Sequence, residues 1–77
     1  MYKVLLRFNF VKNNRVIEVY FDNRLSFREN FRLLSYIVNI SDIENIKIYD
    51  ENKHMFLKTD VPIKNFNINY FMNYKIY

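Results

Sequence analysis

The sequence predicts an α+β fold in which β-strands pack against one amphipathic helix. Three observations carry that prediction. Apolar and polar residues alternate with period two at both ends of the chain and again near its middle. A single capping signature opens the one run of period 3.6. Each change of period coincides with a short polar turn.

The first strand begins near Lys3. Val4, Leu6, Phe8 and Phe10 fall on one side, and Lys3, Leu5, Arg7 and Asn9 on the other, as a half-buried strand requires. Lys12-Asn13-Asn14-Arg15 follows, and asparagine tolerates positive φ, so a tight turn fits here. The second alternation points Ile17, Val19 and Phe21 inward and Glu18, Tyr20 and Asp22 outward. Residues 2–22 therefore form an antiparallel hairpin.

Ser26-Phe27-Arg28-Glu29 has the spacing of a capping box, in which the serine hydroxyl and the Glu29 carboxylate each satisfy a free N–H of the first turn. Phe27, Phe31, Leu34 and Val38 then recur on one face, with Leu33 and Ile37 widening the stripe, which predicts a helix over 27–38 laid on the hairpin's inward side. A polar loop, Asn39 to Asn45, leads to a third strand at Ile46-Lys47-Ile48-Tyr49. Asp50-Glu51-Asn52-Lys53 turns the chain into a short return strand, His54 to Leu57. Thr59 to Asn67 holds the one proline and reads as irregular or as a 3₁₀ turn. The last strand covers Phe71 to Tyr77, with Tyr74 and Ile76 inward and Asn73, Lys75 and Tyr77 outward.

Composition narrows the function. With 77 residues the chain is expected to be a single domain, residues 1–77, whose small core only marginally offsets its conformational entropy. No cysteine means no disulfide framework, thiolate metal site or thiol nucleophile, and no glycine means no phosphate-cradling loop. His54 is the sole histidine; its nearest acids, Asp50 and Glu51, share its turn, so it reads as a solvated turn residue. Asp42 and Glu44 read as loop solvation. The sequence predicts no enzyme, no cofactor and no metal site. No apolar run approaches the roughly 20 residues of a membrane span, and early charge argues against a secretory leader, so the expected location is the cytoplasm.

The strand order ββαββ with a closing β is that of the β-grasp, a mixed sheet of four to five strands curled around one helix. The spacing of Leu57, Ile63, Phe66, Ile68, Tyr74 and Ile76 resembles the core spacing of ubiquitin's second half, and Ile63-Lys64-Asn65-Phe66-Asn67-Ile68 resembles the ubiquitin family's Leu-x-x-Tyr-Asn-Ile segment. That resemblance implies a ubiquitin-like fold in which the first and last strands lie adjacent and parallel, with the third beside the last. Phe66 stands where the family has tyrosine, so the loop whose backbone a tyrosine hydroxyl would bond is expected to be held by packing alone. Conjugation in that family needs a C-terminal Gly-Gly, whereas this sequence ends in Lys75-Ile76-Tyr77 without a glycine, so conjugation is not expected. A ubiquitin-like chain of this length and Asn-rich composition is similar to the YukD-like accessory proteins of bacterial type VII secretion systems, which implies binding to other proteins.

Two surfaces are candidates. The open sheet face carries Lys3, Leu5, Arg7, Lys47, Tyr49, Lys75 and Tyr77, expected to form one basic, aromatic patch on the face that ubiquitin uses for its receptors. Arg24, Arg28 and Arg32 are spaced by four along or just before the helix and form a basic face, diluted by a pairing of Glu29 with Arg32. The net charge of +4 is concentrated in residues 1–39, which hold seven basic and three acidic residues. A protein-binding adaptor is the expected function, and a small nucleic-acid-binding domain is the alternative, since stacking aromatics among cations suit both. The second strand, at the sheet edge, offers a route to a homodimer.

Overall fold

A computed structural model describes residues 2–34, 43–66 and 73–77 of the chain. Its elements are β1 (Lys3–Phe10), β2 (Arg15–Asp22), α1 (Phe27–Leu33), β3 (Ile48–Asp50), β4 (Met55–Leu57) and β5 (Asn73–Ile76), with 3₁₀ turns at Ile43–Asn45 and Ile63–Asn65. The strands form one sheet in the order β2-β1-β5-β3-β4. β1 and β5 run parallel and the other neighbours antiparallel. This is the mixed five-stranded β-grasp that the alternations predict.

The hairpin follows its sequence pattern residue for residue. Leu6, Phe8, Phe10 and Phe21 are buried, with Val4, Ile17 and Val19 partly so. Asn14 supplies the positive φ, at 50°, that the turn needs. The second turn behaves in the same way: His54 sits at φ 53° and closes the β3–β4 turn, so strand β4 starts one residue later than the alternation suggests. Asp50, buried at the end of β3, accepts the backbone N–H groups of Asn52 (2.9 Å) and Lys53 (3.2 Å) and shapes that turn.

The capping box forms as read: Glu29 N–H donates to Ser26 Oγ at 3.1 Å, and Ser26 N–H donates to the Glu29 carboxylate at 3.2 Å. Phe27 and Phe31 are fully buried, and Leu34 packs at the rim. Leu33 does not join the stripe. It lies roughly 120° around the helix from Phe27 and is 61% exposed. The regular helix ends at Leu33, with Leu34 as its C-cap; Ile37 and Val38 lie outside the described residues.

Phe8 is the centre of the core. Its ring lies 5.1 Å from Phe21, 5.0 Å from Phe31, 6.2 Å from Phe27 and 5.8 Å from Tyr74, so strand, strand and helix meet on one aromatic nucleus. Ile48, Leu57, Ile63 and Ile76 complete it from the second half.

The segment before Phe66 corrects an expectation, because packing is not its only restraint. Ile63 N–H donates to Leu25 O (3.0 Å), Lys64 N–H to Asn23 O (2.8 Å), and Arg28 N–H to Thr59 O (3.0 Å). An Arg28 guanidinium N–H adds a bond to Thr59 Oγ1 at 2.9 Å, while Phe66 packs on Phe27 at 6.0 Å. Backbone bonds to the β2–α1 junction thus hold this segment together with the packing of Phe66.

Candidate functional site

The open face of the sheet is built by register. β1–β2 pairing sets Leu5 opposite Tyr20, Arg7 opposite Glu18 and Asn9 opposite Val16; β1–β5 pairing sets Asn9 beside Lys75; and Lys75 lies opposite Tyr49, itself opposite Phe56. The face therefore runs from Val16 through Asn9, Lys75 and Tyr49 to Phe56.

The seven residues read from the sequence do lie on this face, but they do not form one patch. Tyr77 follows the β5 strand and bonds by its N–H to Lys47 O at 3.0 Å, which gathers Lys47, Tyr49, Lys75 and Tyr77 at one end. Arg7 stands opposite Asn73, with Lys3 and Leu5 farther back along β1. Lys3 is eight residues from the level of Tyr77, roughly 26 Å at strand rise. The parallel register, which sets Ile76 beside Phe10 at the far end of β1 from Lys3, separates them.

Charge is also redistributed. Arg7 is ion-paired with Glu18 across the hairpin, its Nε donating at 2.9 Å, and Lys75 Nζ lies 2.9 Å from Glu51. The Glu51 carboxylate raises the Lys75 pKa above its usual value. Both cations thus face acids on the same surface. Lys47 and Lys58 stay exposed, with no acidic partner among the described residues.

What remains at the β4 end is an aromatic cluster. The Tyr49 and Phe56 rings are 5.2 Å apart and the Phe56 and Tyr77 rings 6.0 Å, both edge-on. Phe56 is 55% exposed and Tyr77 44%. Phe56 was missed in the sequence reading, although the signal was there: Leu57 points inward, so its neighbour must point out. Beside the rings, a groove of about 450 Å³ is lined by Ile46 and Leu57, by Arg28, Lys47 and Lys58, and by the acid Asp60.

The arginine series resolves differently. Arg24 precedes the helix and grips Asp22 through its backbone N–H (2.9 Å), Nε (3.0 Å) and a terminal nitrogen (2.7 Å), with its guanidinium 4.1 Å above the Tyr2 ring. These bonds pull the Asp22 carboxyl down to about 2 and raise Arg24. Arg32 pairs with Glu44 rather than Glu29, which is occupied by the cap; Arg28 lies 4.0 Å from the same Glu44. No row of free guanidinium groups results.

For chemistry the surface offers little. His54 is fixed by its turn, and among the described residues no three His, Asp or Glu side chains converge. Asp42 lies outside the described residues. Among them no helix is long and apolar enough to cross a membrane.

Comparison with known proteins agrees on architecture. No family model matches the chain, and no curated protein matches it. Solved structures do. One, described as "Molecular Mimicry of SUMO promotes DNA repair", superposes with a TM-score of 0.82 at 12% identity, over 100% of this chain and 92% of that one. The ubiquitin-like domain of an Arabidopsis thaliana protein gives 0.76 at 13% identity over 100% and 78%. The UBL domain of Plasmodium falciparum Dsk2 gives 0.69 at 12% identity over 97% and 99%. At such identities the likeness speaks to the fold, and with the strand order above it establishes that this chain has the ubiquitin-like β-grasp fold.

Proposed function

We propose that the chain is a non-catalytic protein-binding module that works from the β4 end of its open sheet face. The observation that carries this reading is the Tyr49–Phe56–Tyr77 cluster, three adjoining rings of which Phe56 and Tyr77 stand exposed on the sheet surface. Lys47 and Lys58 flank it without acidic partners among the described residues, which suits a partner segment that is apolar with acidic residues at its margins.

The module acts as one domain, residues 1–77, in the cytoplasm. The resemblance to YukD-like proteins supplies a setting, as an accessory component of a bacterial type VII secretion system, and neighbouring genes for a membrane ATPase and small helical secreted proteins would support it. The nucleic-acid alternative is weaker. Of the seven cations on the two candidate surfaces, Arg7, Arg24, Arg28, Arg32 and Lys75 face acids, which leaves Lys3 and Lys47 there to replace counterions on phosphates.

Two measurements test this reading. Tyr49→Ala, Phe56→Ala and Tyr77→Ala should each lower partner retention at least tenfold, and at the exposed Phe56 and Tyr77 stability should change by no more than about 1 kcal/mol. Intact binding in all three would contradict the proposal. Titration of single-stranded oligonucleotide across a salt series should give no binding even at low salt; salt-dependent binding would favour the alternative.

A further inference from the structure

The free edge of β2 has a backbone pattern that the folded chain leaves half used. Asn23 N–H donates to Tyr2 O at 2.7 Å, and these two residues stand directly opposite in the β1–β2 register, so they are a hydrogen-bonded pair. Counting back by twos, Phe21, Val19, Ile17 and Arg15 also bond to β1, while Asp22, Tyr20, Glu18 and Val16 direct their N–H and C=O groups away from the sheet. Val11 N–H, bonded to Ile76 O at 3.0 Å, confirms the parity from the other side of β1.

At Asp22 the outward groups are already taken. The buried Asn30 carboxamide accepts from Asp22 N–H (2.8 Å) and donates to Asp22 O (3.0 Å), standing in for a neighbouring strand. Its remaining N–H reaches Ser26 O at 2.8 Å. Val16, Glu18 and Tyr20 have no such cover among the described residues. Their side chains lie on the open face, where Val16 is 56% and Tyr20 66% exposed.

We infer that this edge pairs with the same edge of a second copy, antiparallel and centred on Glu18, to make one continuous ten-stranded sheet across a two-fold axis. Self-complementarity chooses the occupant. Only with Glu18 opposite its own counterpart do all three free residues of each strand find partners: Val16 meets Tyr20, Glu18 meets Glu18, and Tyr20 meets Val16. A shift by two in either direction leaves one of the three without a partner or opposes it to Asp22, which Asn30 has closed. The same register stacks the exposed Val16 on the exposed Tyr20 of the other copy. On the inner side it sets the partly buried Ile17 against Val19.

One feature opposes the pairing. The two Glu18 carboxylates meet on the axis, each held by its own Arg7. That repulsion keeps the association weak and reversible. The surface formed by Tyr49, Phe56 and Tyr77 lies toward the opposite sheet edge and stays open in the pair, so this inference does not depend on the proposed binding function.

The absence of cysteine makes the test direct. In sedimentation the chain should pass from monomer to dimer within the micromolar to millimolar range expected of a small interface. Over the same range, amide exchange at Val16, Glu18 and Tyr20 should slow, while Ile17, Val19 and Phe21 stay protected throughout. Glu18→Cys should then cross-link to itself under mild oxidation, because opposed residues of a hydrogen-bonded pair stand about 5.5 Å apart, within disulfide reach. Val16→Cys alone should not, its copies being roughly 13 Å apart along the ladder, but it should cross-link when mixed with Tyr20→Cys.

A chain that stays monomeric to millimolar concentration overturns the inference. So does a dimer in which Glu18→Cys cross-links no faster than Lys53→Cys in the β3–β4 turn. Protection of Val16, Glu18 and Tyr20 that appears only on adding an unrelated extended peptide to a monomer also overturns it, assigning the edge to another protein.

Discussion

Among the described residues His54 and Asn14 hold the two left-handed positions, at φ 53° and 50°. Most folds place glycine at such turns, but this sequence has none, so residues whose Cβ crowds the backbone must serve. Asparagine in the first turn was legible because it is the usual substitute. His54 reads as an ordinary solvated turn residue, because nothing in its neighbourhood announces a backbone role. His54→Val should destabilise by about 1–2 kcal/mol, since a β-branched residue suffers most there, while His54→Gly should be no worse than wild type. Denaturant unfolding of the two variants checks this.

Tyr74 raises a second point at the same scale. Burial first, then the nearby Asp50 charge, push its phenol well above the usual value, and the Glu51 carboxylate raises Lys75 beside it. Both folded-state pKa values lie above the unfolded ones. The stability these groups contribute is therefore complete below about pH 10 and is lost as pH rises beyond it. Asp22 has the opposite sign. Its folded pKa of about 2 lies below the model-peptide value of 3.8, so its contribution is present above that value and disappears as pH falls towards 2. Thermal melts should show an alkaline decline that is shallower in Tyr74→Phe. An equal decline in that variant would assign it elsewhere.

Elements were legible wherever local periodicity controls them. Ser26 and Glu29 announced the helix start, and the β1–β2 hairpin could be read with its inward and outward residues in place. Contacts made across the fold were not legible. Glu18 and Glu51 neutralise Arg7 and Lys75 only because strand register sets them side by side, and Glu44 reaches Arg32 from 12 residues along the chain. Asn30 is the clearest case. A polar residue one turn from the cap reads as helix surface, yet it is buried and bonds Asp22 through both of that residue's outward backbone groups. Asn30→Ala should cost about 1–3 kcal/mol by stranding those groups, more than the roughly 1 kcal/mol expected of Ser26→Ala at the cap. Chemical denaturation distinguishes the two, and equal losses would mean that water replaces the carboxamide.

At the scale of the molecule, strand register decides where function can sit. The parallel contact of β1 with β5 fixes the β-grasp, and because it sets Ile76 beside Phe10 it also divides the open face into a charged end at Lys3 and an aromatic end at Tyr77. Sequence alternation placed the named residues on the correct face and left their distribution along it undetermined, since register between distant strands is not written in either strand. It also passed over Phe56, which joins Tyr49 to Tyr77. The most direct test of the proposed function is amide and side-chain NMR mapping of the labelled chain with a captured protein partner. Perturbations should centre on Tyr49, Phe56 and Tyr77 and extend to Lys47 and Lys58; a footprint on Arg24, Arg28 and Arg32, or one confined to the Lys3 end, would contradict it.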